Sequence, residues 1–175
     1  MPSLIDIRRR IRSVKNTQQI TKAMKMVSTA RLRRAQERVI SARPYAHMMS
    51  DLLSSVASAA GSSELAAALP LLSVREEKRV QLVLVTSDRG LAGAFNTNLI
   101  KAAQQFLDQH ENVQIELAGR KGRDHFTRRP VKVSGEITGI SGAANLAEAE
   151  KLAAKLIDRF TSGEVDAVYL LYNEF

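Results

Sequence analysis

From residue 3 to residue 60 the chain contains no Gly and a single Pro, Pro44. That uninterrupted stretch constrains the fold more than any other feature. It is rich in Ala, Leu, Met, Lys, Arg and Gln, so intrinsic propensity favours helix throughout. Ser3, followed three residues later by Asp6, supplies an N-terminal cap. At a rise of 1.5 Å per residue the helix would reach roughly 85 Å, beyond the width of any domain the remaining residues can build, so it must protrude.

A 3-4 heptad frame runs through this stretch from Leu4 to Ala60, and thirteen of its seventeen positions are apolar, among them Ile7, Ile11, Val14, Leu32, Val39, Met49, Leu53 and Val56. A seam that keeps register this long calls for a partner helix and a left-handed supercoil. The four exceptions are contiguous: Gln18, Thr21, Lys25 and Ser28. There the apolar positions step back one residue, to Ile20, Met24 and Val27, as a stripe does when it rotates by about 100° around the axis. Either the helix shares its faces there between a coil partner and something outside, or the heptad slackens locally toward a 3.6-residue period. Pro44 falls inside the pattern, and because Ala42, Ala46 and Met49 keep the frame across it, a kink is expected and not an end. Gly61 and the serines after it mark the stop.

Beyond residue 80 the pattern changes. VQLVLV and VQIELA (113–118) are near-continuous apolar runs, VKVSGEI is a third candidate strand and DAVYLLY (166–172) a fourth; helical patterns occupy 94–110, 121–129 and 143–162 between them. Strands alternating with helices, and apolar on both faces, predict a mostly parallel sheet covered by helices. The fold class expected is therefore α/β: a long protruding N-terminal coiled-coil helix (1–60), a linker (61–79) and a small, Rossmann-like α/β domain (80–175).

Charge follows the same division. Residues 1–43 hold 12 Lys/Arg against 2 acids and residues 44–175 hold 14 against 16, so a net +10 is followed by −2. The basic character belongs to the helix, and five cations fall within QQITKAMKMVSTARLRRAQE (18–37) alone. With no Cys, disulfides, thiolate nucleophiles and Cys-ligated zinc are all removed. The chain has neither an 18-residue apolar run nor the apolar core of an export signal, so no membrane span is expected.

Few residues suggest chemistry. The loop SDRGLAG, with Asp88, Arg89, Gly90 and Gly93, follows the first strand and opens a helix, yet matches neither a Walker A sequence nor a G-x-G-x-x-G fingerprint. Its amides can hold an anion at the helix start, or the loop is a tight turn in which Asp88 caps neighbouring amides. His47, His110 and His125 are scattered without metal-ligand spacing, and no Ser stands in G-x-S-x-G. No catalytic residue, cofactor site or metal site is expected.

The basic helix admits three partners. Nucleic acid would be attracted by charge, on the plan of a basic-zipper protein; against it, the apolar seam runs beneath the cations and no aromatic residue precedes Tyr45. A membrane surface asks for a broader apolar face. A basic shaft surrounded by acidic protein uses both the seam and the charge.

Three segments, SVKNTQQITKAMKMVSTARLRRAQ, then RPYA, then TSDRGLAGAFNTNLIK, closely resemble the gamma subunit of the F1 sector of ATP synthase, and the similarity covers essentially the whole chain in order. The resemblance implies a rotor. In that family the N-terminal helix pairs with a C-terminal helix, which this sequence, resembling the N-terminal portion, lacks after Phe175, inside a ring of three alpha and three beta subunits; the α/β domain stands near the epsilon subunit and the membrane c-ring. It further implies that Met24 and Lys25 lie close to an acidic loop of beta, that Arg31, Arg33 and Arg34 continue that contact, and that Lys101 meets a second beta loop. Gln104 stands where the family has a nearby lysine. The implied setting is peripheral, on the cytoplasmic face of a bacterial membrane, with catalysis on beta. A nucleic-acid-binding basic coiled coil is the alternative reading.

Overall fold

The computed structural model describes residues 3–60, 69–139 and 146–174, and the chain divides into two units, Met1–Ser63 and Glu64–Phe175. The expected stop at Gly61 and the first residues of the Ala-rich helix, 143–145, lie outside the described residues.

The first unit is one helix, α1 (Leu4–Ala60). Its N-terminus closes with the reciprocal cap expected from sequence: the Ser3 amide donates to Asp6 Oδ2 at 3.2 Å and the Asp6 amide to Ser3 Oγ at 3.3 Å. Pro44 sits inside the helix without ending it. Within this unit the helix buries almost nothing. Every residue from Leu4 to Ala59 is exposed except Gln36, which is half-buried. Taken by itself, the helix rests on propensity and local pairs, such as Arg33 Nε to Glu37 Oε1 at 3.0 Å, which at this exposure contributes only about 0.3–0.5 kcal/mol.

The second unit is a four-stranded sheet in the order β3-β2-β1-β4, formed by β1 (Val80–Val85), β2 (Val113–Ala118), β3 (Lys132–Ile137) and β4 (Ala167–Leu171). All three pairings are parallel, with Val80 opposite both Val113 and Ala167. Parallel neighbours need crossovers. These are α2 (Phe95–Gln109), α3 (Arg120–Phe126) and α4 (Leu146–Thr161).

Side chains alternate between the faces of a strand, and the two faces of this sheet differ. On one, Leu82 and Leu84 of β1 and Ile115 and Leu117 of β2 pack with Leu99 and Ala103 of α2 and Phe126 of α3 into the main apolar core. The other face was expected to be apolar as well, and it is only partly so, since Val83 and Ala118 are buried there beside polar side chains. Gln81 and Glu116 are 0% and 2% exposed there. They survive burial because α4 brings two cations one turn apart. Lys155 Nζ donates to Glu116 Oε2 at 2.6 Å, Ser134 Oγ donates to the same oxygen at 3.0 Å, and Gln81 Nε2 donates to Ser134 Oγ at 2.9 Å. Arg159 then donates to Gln81 Oε1, to Gln114 Oε1 and to Glu164 Oε1. This polar lane crosses three strands, and among the described residues no buried side-chain polar atom lacks a partner. Gly135 gives it room, since a Cβ there would overlap the Glu116 carboxylate.

Residues 69–79, expected as linker, are held against this unit. A 3-10 turn (Pro70–Leu72) leads to Arg75, whose guanidinium lies 4.4 Å from the Phe160 ring centroid and donates to the Phe160 carbonyl at 2.8 Å. Arg79 then grips Asp166 with two side-chain bonds, of 3.1 and 2.8 Å, and one backbone bond of 2.9 Å.

Candidate functional site

Two features bear on function, one in each unit. The first is the seam on α1. Leu4, Ile7, Ile11, Val14, Leu32, Val39, Met49, Leu53 and Val56 are all exposed, as are Ile20, Met24 and Val27 where the stripe steps back. Full burial of one such side chain contributes about 1.5–3 kcal/mol, so this row is a strong driver of association. Three hydroxyl bonds mark the step. Thr17 Oγ1 donates to the Ser13 carbonyl at 3.0 Å, and Thr21 Oγ1 is shared between the carbonyls of Thr17 and Gln18 at 3.0 and 2.9 Å. Back-bonding of this kind bends helices slightly, which fits a local change in periodicity.

Met24, Lys25, Arg31, Arg33 and Arg34 are all exposed on α1, but they do not share one face. At about 100° per residue, Met24, Arg31 and Arg34 fall within a quarter-turn, Lys25 stands to one side beside the seam, and Arg33 points to the opposite side, where Glu37 pairs with it. The charge therefore surrounds the helix there. Lys101 is exposed on α2 in the second unit, and Gln104, one turn on, is bonded to Asp108 Oδ1 at 3.0 Å.

The second feature is the loop between β1 and α2. Asp88 Oδ1 accepts the amides of Arg120 at 3.0 Å and Gly139 at 3.1 Å, so it ties together the chain leaving β2 and the chain leaving β3. Ser87 is equally engaged: its amide and its hydroxyl each reach Asn96 Oδ1 at 3.0 Å, and its carbonyl accepts the Lys121 amide at 3.0 Å. Arg89 and Gly90 are exposed, while Gly93 uses a left-handed φ of 55°. Leu91 also adopts a positive φ, 61°, and is fully exposed. Ser87 and Asp88 thus fasten the loop, and Asp88 acts as an amide cap, as the tight-turn reading expects of it.

Sequence reasoning missed two elements. One is Gly119, whose φ of 108° lets the chain pass so close to β1 that a Cβ would overlap the Thr86 carbonyl oxygen. The other is the polar lane, whose signal was visible: Gln at the second position of both VQLVLV and VQIELA, and Lys155 and Arg159 four residues apart. Among the described residues no group of three potential metal ligands occurs, and no helix is long and apolar enough to cross a membrane. His110 is stacked on Phe106 with ring centroids 4.1 Å apart.

A long basic helix with a bare apolar seam, carried by the same chain as a parallel α/β unit, defines a class of subunit made to pack with other helices. Known proteins specify the class further. A family model described as ATP synthase matches residues 3–175. The ATP synthase gamma chain of Solibacter usitatus is 59% identical over 177 residues, covering 100% of this chain and 62% of that relative. That of Anaeromyxobacter sp. strain Fw109-5 is 49% identical, covering 100% and 61%. Among solved structures, the central stalk/c-ring of the Tetrahymena thermophila mitochondrial ATP synthase matches with a TM-score of 0.70 at 25% identity, over 89% of this chain and 66% of that one. The chain belongs to the ATP synthase gamma-chain family. It spans about three-fifths of the length of these curated relatives.

Proposed function

We propose that this chain works as part of the central rotor stalk of an F-type ATP synthase, coupling rotation of a membrane c-ring to conformational cycling of catalytic sites on beta subunits. The observation that carries the reading is the bare, register-keeping seam on a helix of net positive charge, in a chain matched end to end by gamma chains. In this reading residues 1–60 form the shaft, paired with a second helix and enclosed by three alpha and three beta subunits. Residues 80–175 form the footing toward epsilon and the c-ring, reached through 61–79. The chain supplies no catalytic residue, cofactor or metal of its own. It is a peripheral component on the cytoplasmic face of a bacterial membrane. The nucleic-acid reading draws no support from the gamma-chain relatives.

The cations take a specific part. Lys25, Arg31 and Arg34, with the apolar Met24 beside them, face acidic beta loops in turn as the shaft rotates, Arg33 does so from the far side, and Lys101 meets a second beta loop. A rotating contact must attract without being trapped in one orientation. Charges spread around the helix satisfy this, because exposed ion pairs contribute only about 0–1 kcal/mol each. Replacing Arg31, Arg33 and Arg34 together by Gln in the assembled enzyme should weaken proton-coupled ATP synthesis more than it reduces the yield of complex. Lost assembly with normal coupling in the surviving complexes would contradict this role.

A further inference from the structure

The N-terminal ends of β1, β2 and β3 frame an open cavity of about 750 Å³, at the opposite end of the strands from the SDRGLAG loop. Its volume lies within the range of small-molecule sites, roughly 300–1,000 Å³. Leu107, Val113 and Val131 give it an apolar base. Three cations line it, Arg79, Arg129 and Lys132, against one carboxylate, Asp108, which already accepts Gln104 Nε2 at 3.0 Å.

These cations are not equivalent. Arg79 is committed to Asp166, a bidentate pair that holds the aspartate below the usual carboxylate range. Lys132 lies near enough to Glu164 to help lower its pKa, after the larger effect of Arg159. Arg129 is braced by one bond, from Nη1 to the His125 carbonyl at 2.8 Å, and pairs with no carboxylate among the described residues. The uncompensated charge thus centres on Arg129, with Lys132 three residues further along the chain. Two amides complete the wall. Gln114 Oε1 is fixed by Arg159 at 2.7 Å, which leaves Nε2 as that side chain's donor, and Asn112 lines the cavity from a left-handed turn with φ 55°.

We infer that this cavity binds a phosphate-bearing ligand, with the phosphate at Arg129 and Lys132 and the organic portion against Leu107, Val113 and Val131. A planar guanidinium fork beside an ammonium matches tetrahedral phosphate oxygens, and a concave site suits a small headgroup better than a flat protein surface. The phosphate comes from a soluble compound or from a lipid headgroup; the cavity chemistry is the same for both. The inference is independent of the rotor reading.

The test uses the full chain labelled with ¹⁵N, titrated with AMP and with inorganic phosphate, and separately with phosphatidylcholine vesicles with or without phosphatidylglycerol. Expected are saturable shifts, or vesicle-induced broadening, at the amides of Asn112, Val113 and Gln114. Arg129→Ala with Lys132→Ala should weaken the response at least about tenfold, as expected for losing charged hydrogen bonds. Arg33→Ala with Arg34→Ala should leave it unchanged, which separates the cavity from the basic helix. Response to AMP or phosphate identifies a soluble ligand, and response to phosphatidylglycerol vesicles alone identifies a lipid headgroup. No response at these amides to any probe, an undiminished response in the cavity variant, or one abolished by the helix variant would overturn the inference. Unshifted ¹⁵N–¹H peaks of the β1 and β2 amides away from the cavity confirm for each variant that the second unit keeps its fold.

Discussion

Lys155→Met isolates the most consequential pair in the polar lane. The Glu116 side chain is 3% exposed, and its carboxylate receives Lys155 at 2.6 Å and the Ser134 hydroxyl at 3.0 Å. Removing the ammonium leaves a buried anion with one neutral donor. Breaking a fully buried pair costs about 3–5 kcal/mol. The Lys155 side chain is itself 40% exposed, so water screens part of the attraction, and the expected loss is nearer about 2–3 kcal/mol. For a unit of this size that corresponds to a fall of roughly 10 °C in Tm. Calorimetry or hydrogen exchange at β1 and β2 amides is the suitable assay, because the 57-residue α1 dominates far-ultraviolet dichroism. Glu116→Gln with Lys155→Met should recover most of the loss, since a neutral amide still accepts from Ser134 and no unpaired charge remains at position 116. The two changes should therefore be strongly non-additive. A single variant within about 0.5 kcal/mol of the parent, or a double variant no better than the single, would refute the reasoning.

Two further outcomes are expected. Gly119→Ala forces a Cβ into the Thr86 carbonyl at a φ of 108° that side chains avoid, and should destabilise the second unit by at least about 3 kcal/mol, measured by urea unfolding. Acid should also weaken this unit. Asp166, Glu164 and Asp124 are held below their ordinary values chiefly by hydrogen bonds from Arg79, Arg159 and Arg123. A depressed carboxylate adds stability above its unfolded pKa, about 4, that is lost as pH falls through the folded value. Arg79→Met should remove the Asp166 share, so the difference in Tm between parent and variant is present at pH 7 and shrinks below about pH 4.

How much of this was legible in the sequence depends on what fixed each feature. The long helix, its Ser3–Asp6 cap and its continuation through Pro44 follow from local propensity and a pattern repeated many times, so they read directly. The four strands and three crossover helices read nearly as well, because buried parallel strands are short apolar runs between helical periods. The polar lane did not, because Gln81 and Glu116 look like breaks in an apolar strand until α4 folds Lys155 and Arg159 over them. Gly119 is equally silent, since its left-handed turn is required by Thr86, more than thirty residues away. The loop at Asp88 was half legible: a cap could be foreseen, but its amides come from Arg120 and Gly139, which only the sheet brings near. The cations of α1 are visible in sequence, whereas the partner surface proposed for them is not written in this chain.

The most direct test of the rotor reading is to recover the tagged protein from its own cells, with nuclease treatment at physiological salt, and to weigh its partners by mass spectrometry. The account predicts alpha and beta subunits in equal amounts, together with epsilon and the c-ring. Recovery of nucleic-acid-binding machinery, or of this chain with no ATP synthase subunit, would contradict it.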